Sequence, residues 1–268
     1  MTKIGIVGCA GRMGQMLVAE VLAGEGLVLS GGTERAGGSA VGRDLGEILG
    51  RGRLDVTVGS DAKALFAASD VVIDFTSPAA VAVHAQLAAE TRTAYVVGTT
   101  GLAADQEAAL RQAATRTAVV WAPNMSVGVN LLFSLVEQMA GLLDPETYDI
   151  EILEMHHRHK VDAPSGTALG FGQAAARGRG VALDAVWQKS RDGHTGARKT
   201  GDIGFATLRG GDVAGDHTVM FAADGERIEI SHKASSRQIF AKGAVRAARW
   251  VCGRPAGLYS MKDVLGLG

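Results

Sequence analysis

The first half of the chain alternates short apolar runs with longer amphipathic stretches. The short runs, several of them rich in β-branched residues, predict buried strands. These runs are Lys3–Val7, Leu27–Ser30, Leu54–Val58, Asp70–Phe75, Ala94–Val97 and Ala118–Trp121. Helices are predicted between them at Arg12–Leu22, from Ser77-Pro78 to about Ala89, and near Ala104–Ala114. Such alternation predicts an α/β domain whose parallel sheet is covered by helices on both faces.

The pattern changes after about Ser126, where a long apolar helix is followed by strands that lack helices between them. The predicted elements are a helix at Val127–Leu143 and strands at Tyr148–Met155, Phe205–Arg209, Thr218–Ala222 and Arg227–His232. Asp224-Gly225 joins the last two strands as a hairpin turn. We therefore expect a second, α+β domain with a mixed or antiparallel sheet.

These patterns divide the chain into two domains. The first covers residues 1–126, with residues 238–268 packing back on it through a helix at Gln238–Val251. The second covers residues 127–237. Within it, Arg177–Gly201 is rich in Gly, Arg and Lys and predicts an exposed loop.

Composition narrows the class of protein further. The 268 residues are 47% hydrophobic and 21% charged, with a formal net charge of −1, which is typical of a globular protein and argues against nucleic acid or an anionic membrane as partner. Only two cysteines, Cys9 and Cys252, are present, so we expect a cytoplasmic protein. The uncharged stretch Thr117–Val136 has the length of a membrane span, but Pro123 and Asn124 interrupt it and favour a strand, a turn and a helix.

A glycine-rich turn follows the first predicted strand. Gly8, Gly11 and Gly14 are spaced G-x-x-G-x-x-G at the start of the first helix, where glycines allow a tight turn and let a pyrophosphate approach the helix N-terminus. A purely structural turn is the alternative, but Glu34 follows the second strand, where a carboxylate can accept hydrogen bonds from a ribose. Arg35 could meet a 2′-phosphate instead. The sequence therefore predicts a Rossmann-type, doubly wound domain that binds NADH or NADPH.

Two later turns lie at the ends of predicted strands. They are Gly98-Thr99-Thr100-Gly101 and Ala122-Pro123-Asn124-Met125. Ligands of open α/β sheets bind beyond the carboxyl ends of the strands, so both turns are candidates for the nicotinamide end of the cofactor. Either turn taken alone could equally be structural.

The densest group of reactive side chains runs from Glu154 to Thr167, directly after a predicted strand. It holds three histidines and Lys160 within five positions, but neither a His-Glu-x-x-His pattern nor a cysteine, so no metal site is predicted. Ser165-Gly166-Thr167 then opens a helix whose free N–H groups suit a carboxylate. A histidine beside it could move a proton near neutral pH. A solvated basic loop without chemistry is the alternative.

Together these motifs resemble the 4-hydroxy-tetrahydrodipicolinate reductase (dihydrodipicolinate reductase) family almost from end to end. The resemblance also rests on Asp74-Phe75-Thr76, Pro123-Asn124-Met125-Ser126-Val127-Gly128, Ala234-Ser235-Ser236-Arg237 and Gly257-Leu258-Tyr259. The segment from His156 to Ala168 is highly specific to this family, whereas the glycine turn is shared with many dehydrogenases.

The resemblance implies NADH- or NADPH-dependent reduction of 4-hydroxy-tetrahydrodipicolinate to tetrahydrodipicolinate, with loss of water, in lysine and diaminopimelate biosynthesis. It implies that His156 is a proton donor or acceptor, that Lys160 is a second proton donor, and that His157, Gly166 and Thr167 hold the carboxylates of the dicarboxylate substrate. The implied cofactor-binding residues are Gly8, Cys9, Ala10, Gly11, Arg12, Met13, Glu34, Arg35, Gly98, Thr99, Thr100, Ala122, Pro123, Asn124 and Met125. A homotetramer assembled through the sheet of the second domain is also implied.

Two other functions stay open on the sequence alone. One is a different NAD(P)-dependent dehydrogenase of amino-acid metabolism, which the histidine cluster and Ser165-Gly166-Thr167 disfavour. The other is a dinucleotide-sensing protein without catalysis, which an intact pair of His156 and Lys160 disfavours.

Overall fold

A computed structural model describes residues 1–267 of the chain. It forms two compact units: the first comprises Met1–Val127 together with the segment from Gln238 onward, and the second comprises Gly128–Arg237. Within residues 1–267, no helix combines the length and the apolar character that crossing a membrane requires.

The helices and strands alternate through the first unit and are less regular in the second. In chain order they are β1 (Thr2–Val7), α1 (Arg12–Ala23), β2 (Leu27–Thr33), α2 (Leu45–Ile48), α3 (Ala62–Ala68), β3 (Val71–Asp74), α4 (Pro78–Thr91), β4 (Ala94–Val97), α5 (Ala104–Ala113), β5 (Ala118–Trp121), α6 (Val127–Leu142), β6 (Asp149–His156), α7 (Gly166–Gly178), α8 (Leu183–Val186), β7 (Trp187–Gln188), β8 (Ile203–Arg209), β9 (Gly215–Ala223), β10 (Glu226–Ala234), α9 (Gln238–Val251), β11 (Gly257–Tyr259) and α10 (Met261–Leu265).

The first unit is built on a parallel sheet with the strand order β11-β5-β4-β3-β1-β2. All residues of β3 and β4 are buried, as expected for strands covered on both faces. One core, including Ile4 and Val96, lies on the side of α1 and α9, and a second core, including Tyr95, lies on the side of α4 and α5. The predicted Rossmann-type fold is confirmed. Parallel strands place the turns that follow β1, β3, β4 and β5 along one edge of this sheet.

The prediction of a strand at Leu54–Val58 is wrong. This run pairs with its surroundings only through isolated bridges, such as the one between Thr57 and Asp44. The N–H groups of Leu54 and Val56 donate to the carboxylate of Asp44, at 3.0 and 3.1 Å, and so are lost to any neighbouring strand. Asp55 between them has a φ of +54°, which a regular strand does not allow.

The second unit contains a mixed sheet with the order β10-β9-β6-β8-β7. β6 runs parallel to β8 and antiparallel to β9, so the expectation of a mixed sheet is confirmed. Alternate residues of β6, among them Ile150 and Ile152, are buried in a core that includes Phe171 of α7 and Val136 of α6. This alternation is the period of a strand with one face toward a core.

The prediction of one continuous loop at Arg177–Gly201 is wrong in part. α7 extends to Gly178, and the short elements α8 and β7 follow at Leu183–Val186 and Trp187–Gln188. The edge strand β11 was also not predicted, because three residues are too few to show a period.

A glycine in α9 brings this helix close to the turn after β5. A Cβ atom on Gly243 would lie 1.7 Å from the carbonyl oxygen of Met125, far inside any allowed contact. Small buried residues on the same helix, such as Ala244 and Ala247, allow the close approach to continue. The position of the 122–125 turn therefore depends on the absence of a side chain at position 243.

Candidate active site

The glycine turn of the first unit has no room for a side chain at Gly8 or at Gly14. Gly8 has a φ of +69°, and a Cβ atom there would lie 2.8 Å from the methyl carbon of Thr76. A Cβ atom on Gly14 would lie 2.1 Å from the carbonyl oxygen of Gly8, so α1 can begin here only because position 14 is glycine. No side chain caps the N-terminus of α1. This arrangement fits a pyrophosphate bound by backbone N–H groups.

The structure brings Glu34 to this turn. Its carboxylate accepts a hydrogen bond of 2.8 Å from the N–H group of Ala10, and Arg35 beside it is exposed. Cys9 differs from its neighbours, because its side chain is fully buried in the core. Burial, followed by the negative charge of Glu34, raises the pKa of the Cys9 thiol to about 12, so the thiol is protonated and only its backbone is available to a ligand.

The two later turns lie at the same sheet edge. The N–H group of Ala122 donates to the carbonyl oxygen of Val97 at 3.2 Å, which ties the start of the 122–125 turn to the end of β4. Thr100 and Pro123 are exposed, whereas Met125 is buried and packs in the core. The predicted cofactor residues of the first unit thus come together at one edge, with Cys9 and Met125 turned inward.

A buried carboxylate for which the sequence predicts no role organises this edge. Asp74, at the end of β3, is fully buried and accepts hydrogen bonds from Tyr95 Oη (2.5 Å), Thr76 Oγ1 (2.6 Å) and Thr99 Oγ1 (3.3 Å). His84 Nδ1 lies 2.7 Å from Oδ2, the oxygen that also accepts from Tyr95, whereas the two threonines donate to Oδ1. Burial works to raise the pKa of Asp74, but His84 and the hydroxyl donors outweigh it and hold the pKa below its ordinary value. Asp74 therefore connects Thr76, which contacts Gly8, with the turn at Thr99.

In the second unit, His156 ends β6 beside a second buried carboxylate. Nδ1 of His156 makes a short hydrogen bond with Oε2 of Glu154, whose side chain is 1% exposed. Arg209 on the neighbouring strand donates to both oxygens of Glu154, at 3.0 Å each, and to the carbonyl oxygen of Asp162 at 2.7 Å. Glu154 is thereby held in a bidentate ion pair.

The same carboxylate holds the start of α7. The N–H group of Ser165 donates to Oε1 of Glu154 at 3.0 Å. Ser165 caps the helix, because its Oγ accepts from the N–H group of Ala168, and this Oγ also lies 3.1 Å from Nε2 of His217. Gly166 follows the cap and is exposed, with its backbone at the first turn of the helix. The structure thus brings His156 and this helix start together through Glu154.

Lys160 and His157 lie in the loop that follows β6. Nζ of Lys160 donates to both oxygens of Asp162, at 2.7 and 2.8 Å. Nε2 of His157 lies 3.4 Å from a guanidinium nitrogen of Arg237. Burial and then the positive charge of Arg237 lower the pKa of His157, which favours a neutral ring.

The members of this cluster differ in their charge at neutral pH. Burial works to raise the pKa of Glu154, but hydrogen bonds from His156, Arg209 and Ser165 outweigh it and bring the pKa to about 2. Burial, followed by the charge of His156, lowers the pKa of His217 to about 3. At neutral pH the cluster therefore contains an ionised carboxylate and a neutral His217.

Glu154, His156 and His217 each offer a ligand atom, and these atoms lie within 4.8 Å of one another. The guanidinium of Arg209 already occupies both oxygens of Glu154. A cation placed there would meet that positive charge, so we do not assign these residues as metal ligands.

Several of these partners are not predicted by the sequence. Glu154 and Asp74 lie inside the motifs described above but carry no predicted role, and Arg209 and His217 lie outside those motifs. The sequence does contain one indication of Arg209, because its spacing of two residues from Thr207 places both side chains on one face of β8. β8 pairs with β6 so that Thr207 lies opposite Glu154 and Arg209 opposite His156.

Comparison with known proteins gives a consistent result. A family model described as the N-terminus of dihydrodipicolinate reductase matches residues 2–125, and one described as its C-terminus matches residues 128–265. A 4-hydroxy-tetrahydrodipicolinate reductase of Mesorhizobium japonicum is 55% identical over 262 residues, covering 98% of this chain and 96% of the relative. The enzyme of that name from Brucella abortus is 54% identical and covers 98% of both chains.

A solved structure is similar over nearly the whole chain. It is a dipicolinate-bound dihydrodipicolinate reductase from a Paenisporosarcina species, with a TM-score of 0.73, 26% identity and coverage of 98% of both chains.

We predict that Asp74→Asn destabilises the first unit and weakens nucleotide binding. The amide cannot accept from every donor around Asp74, and loss of a buried charged partner typically costs about 3–5 kcal/mol. Urea unfolding and titration of NADH fluorescence measure the two effects. Asp105→Asn, at an exposed position of α5, is the matched control and should change neither. Equal behaviour of the two variants would contradict the role of Asp74.

We also predict that stability falls in acid through Glu154. The unfolded chain protonates this carboxyl near its ordinary value of 4.5, whereas the folded protein does so only near pH 2. The free energy of unfolding is therefore lowered by about 3 kcal/mol as the pH falls from 4.5 to about 2. His217 acts in the same direction, beginning near its ordinary value of 6.5. Urea unfolding from about pH 7 to about pH 3 should show a shallower loss for Glu154→Gln than for the native chain, and equal slopes would refute the assignment.

Proposed function

The chain belongs to the dihydrodipicolinate reductase family, and from this membership we propose how its residues carry out the reaction. The activity is the NADH- or NADPH-dependent reduction of 4-hydroxy-tetrahydrodipicolinate to tetrahydrodipicolinate, with loss of water, in lysine biosynthesis. Because the chain belongs to this family, the alternative of a different dehydrogenase of amino-acid metabolism is excluded. The observation that carries the residue roles is the position of buried His156 beside the start of α7, where both contact one carboxylate.

The first unit binds the nicotinamide nucleotide, which supplies the hydride. The turn from Gly8 to Met13 would hold its pyrophosphate, and Glu34 and Arg35 would bind its adenosine ribose. The turns at 98–100 and 122–125 would hold its nicotinamide end. Support comes from Gly8 and Gly14, whose positions exclude any side chain, and from the common sheet edge of all these turns.

The second unit binds the dicarboxylate substrate. The N–H groups of Gly166 and Thr167 and the ring of His157 hold its carboxylates, because a helix N-terminus favours an anion. The solved Paenisporosarcina relative is bound to dipicolinate, a planar dicarboxylate, which supports a ligand of this class here.

His156 and Lys160 move the protons. Hydride arriving at a conjugated imine produces electron density that an acid must neutralise, and the histidine is placed to donate a proton. Lys160, whose ammonium group is held by Asp162, is the second donor.

We propose further that the protein is a cytoplasmic homotetramer assembled through the sheet of the second unit. The large apolar side chains of Leu208 and Ile228 on this sheet are exposed in the single chain, which supports an interface there. The separate, unpaired Cys9 and Cys252 suit a reducing compartment.

A coupled assay tests the function as a whole. Pyruvate, aspartate semialdehyde and the preceding synthase generate the substrate, while NADH and NADPH consumption is followed separately by absorbance. Oxidation that requires every component supports the assignment and shows which nucleotide Glu34 and Arg35 favour. A folded protein that binds NADH but oxidises neither nucleotide would refute the substrate.

His156→Gln should lower kcat by about 10²–10⁴-fold and leave nucleotide binding nearly unchanged, because general acid catalysis contributes on that scale. Lys160→Ala should lower kcat and raise the KM for the dicarboxylate. Steady-state kinetics and NADH fluorescence titration measure these effects, with His194→Gln in an exposed segment as the control. Native kcat/KM in both variants would exclude the proposed roles.

A further inference from the structure

We infer that Glu154 is a positioning residue for the reaction: one of its oxygens orients His156 for proton transfer, and the other fixes the helix start that holds the substrate carboxylates. This inference rests on the proposed function, because it assigns a partner to His156 and to the turn at Gly166. It adds to that proposal a residue that touches neither substrate nor cofactor.

The first argument is that the two carboxylate oxygens of Glu154 bind different partners. Oε2 of Glu154 meets Nδ1 of His156, while Oε1 accepts from the N–H group of Ser165 at 3.0 Å and from Oγ1 of Thr207 at 3.3 Å. Arg209 reaches both oxygens at 3.0 Å and prevents the carboxylate from rotating. One rigid group therefore fixes both the imidazole and the first residue before α7.

The second argument is the proton arrangement. An ionised carboxylate can only accept, so Nδ1 of His156 carries its proton and donates to Glu154. Nε2 is then the ring atom that gains or loses a proton. In the reductive step the proton leaves Nε2 for the substrate, Nδ1–H stays bonded to Glu154, and the ring becomes neutral. The charge of Glu154 stabilises the imidazolium from which that proton comes.

The third argument is the topology of the sheet. β6 is the middle strand, and Glu154 and His156 are two residues apart, which places both side chains on one face. On that face β8 supplies Thr207 and Arg209 opposite them, and β9 supplies His217 opposite Glu154. The partners of the carboxylate on β6, β8 and β9 are thus set by strand register, and Ser165 at the start of α7 is the partner that comes from outside the sheet.

The charged and titratable groups around His156 come from each of these elements and from the loop after β6. They are Glu154, Arg209, His217, His157, Lys160 and Asp162. Arg209 and Lys160 oppose a positive imidazolium and Glu154 favours it, so Glu154→Gln removes the negative charge that contacts the ring.

Glu154→Gln is the informative substitution. The amide retains the shape but has one oxygen for the two N–H donors of His156 and Ser165, so one of them must be released. We expect kcat to fall about 10- to 100-fold, as for other groups that orient a reacting residue, and the KM for the dicarboxylate to rise. The KM for the nucleotide should not change. Proton NMR of the labelled histidines should show that the downfield Nδ1–H signal of His156, which the short hydrogen bond to Glu154 produces, is lost or moves upfield.

Two further variants separate this role from a structural one. Glu151→Gln, on the same strand and paired with Arg191 and Arg198, should fold and leave kcat and the Nδ1–H signal of His156 unchanged. Glu154→Asp retains the charge at a shorter reach, so it should restore the Nδ1–H signal more fully than kcat. An unchanged Nδ1–H signal and unchanged kcat in folded Glu154→Gln would overturn the inference.

A double-variant cycle distinguishes failure of this inference from failure of the proposed function. If Glu154 acts through His156, adding Glu154→Gln to His156→Gln lowers kcat little further, whereas independent effects would multiply. Multiplying effects would overturn the positioning role and leave His156 in place. Native activity of His156→Gln alone would instead remove the catalytic role that the proposed function gives to His156, and a native chain inactive in the coupled assay would remove the proposed function itself.

Discussion

An ionised carboxylate can be buried only where hydrogen-bond donors or positive charges replace the water it loses, and without them the cost is several kcal/mol. Each unit of this protein buries such a group near the carboxyl end of a strand in the middle of its sheet, Asp74 on β3 and Glu154 on β6. The partners come from neighbouring strands, from the turns beyond them and, for Asp74, also from His84 on α4. Each carboxylate can stay buried and ionised only when these separate segments are assembled around it. The same hydrogen bonds that satisfy the carboxylate therefore also fix the ligand-binding turns.

Close backbone approach is the second constraint, and it acts on the nucleotide side. Gly14 lies against the carbonyl of Gly8, Gly98 against the ring of Phe75, and Gly243 against the carbonyl of Met125. At each place a Cβ atom would collide with its neighbour, so these turns are held by contacts that only glycine permits. The first unit is therefore shaped by small residues, whereas the second relies on a network of charged groups around Glu154.

The strand and helix pattern was predictable because burial on one or two faces leaves a period in the sequence, and this period is local. It predicted the doubly wound sheet and the mixed second sheet, while the glycine turn with Glu34 was predicted from the spacing of Gly8, Gly11 and Gly14. It failed at Leu54–Val58, where the carboxylate of Asp44 captures the N–H groups that a strand would use. It also failed at β11, which is too short to show a period.

The sequence by itself determined which residue types could do chemistry here: a histidine and a lysine after a strand, a capped helix start, and a glycine turn at the head of the first helix. Only the tertiary structure decided what surrounds them. Arg209 and His217 lie 55 and 63 positions from Glu154 and reach it because β8 and β9 flank β6 in one particular register. Register between distant strands is set by packing of the whole sheet, which no local pattern records, and so the partners of His156 became visible only in the fold.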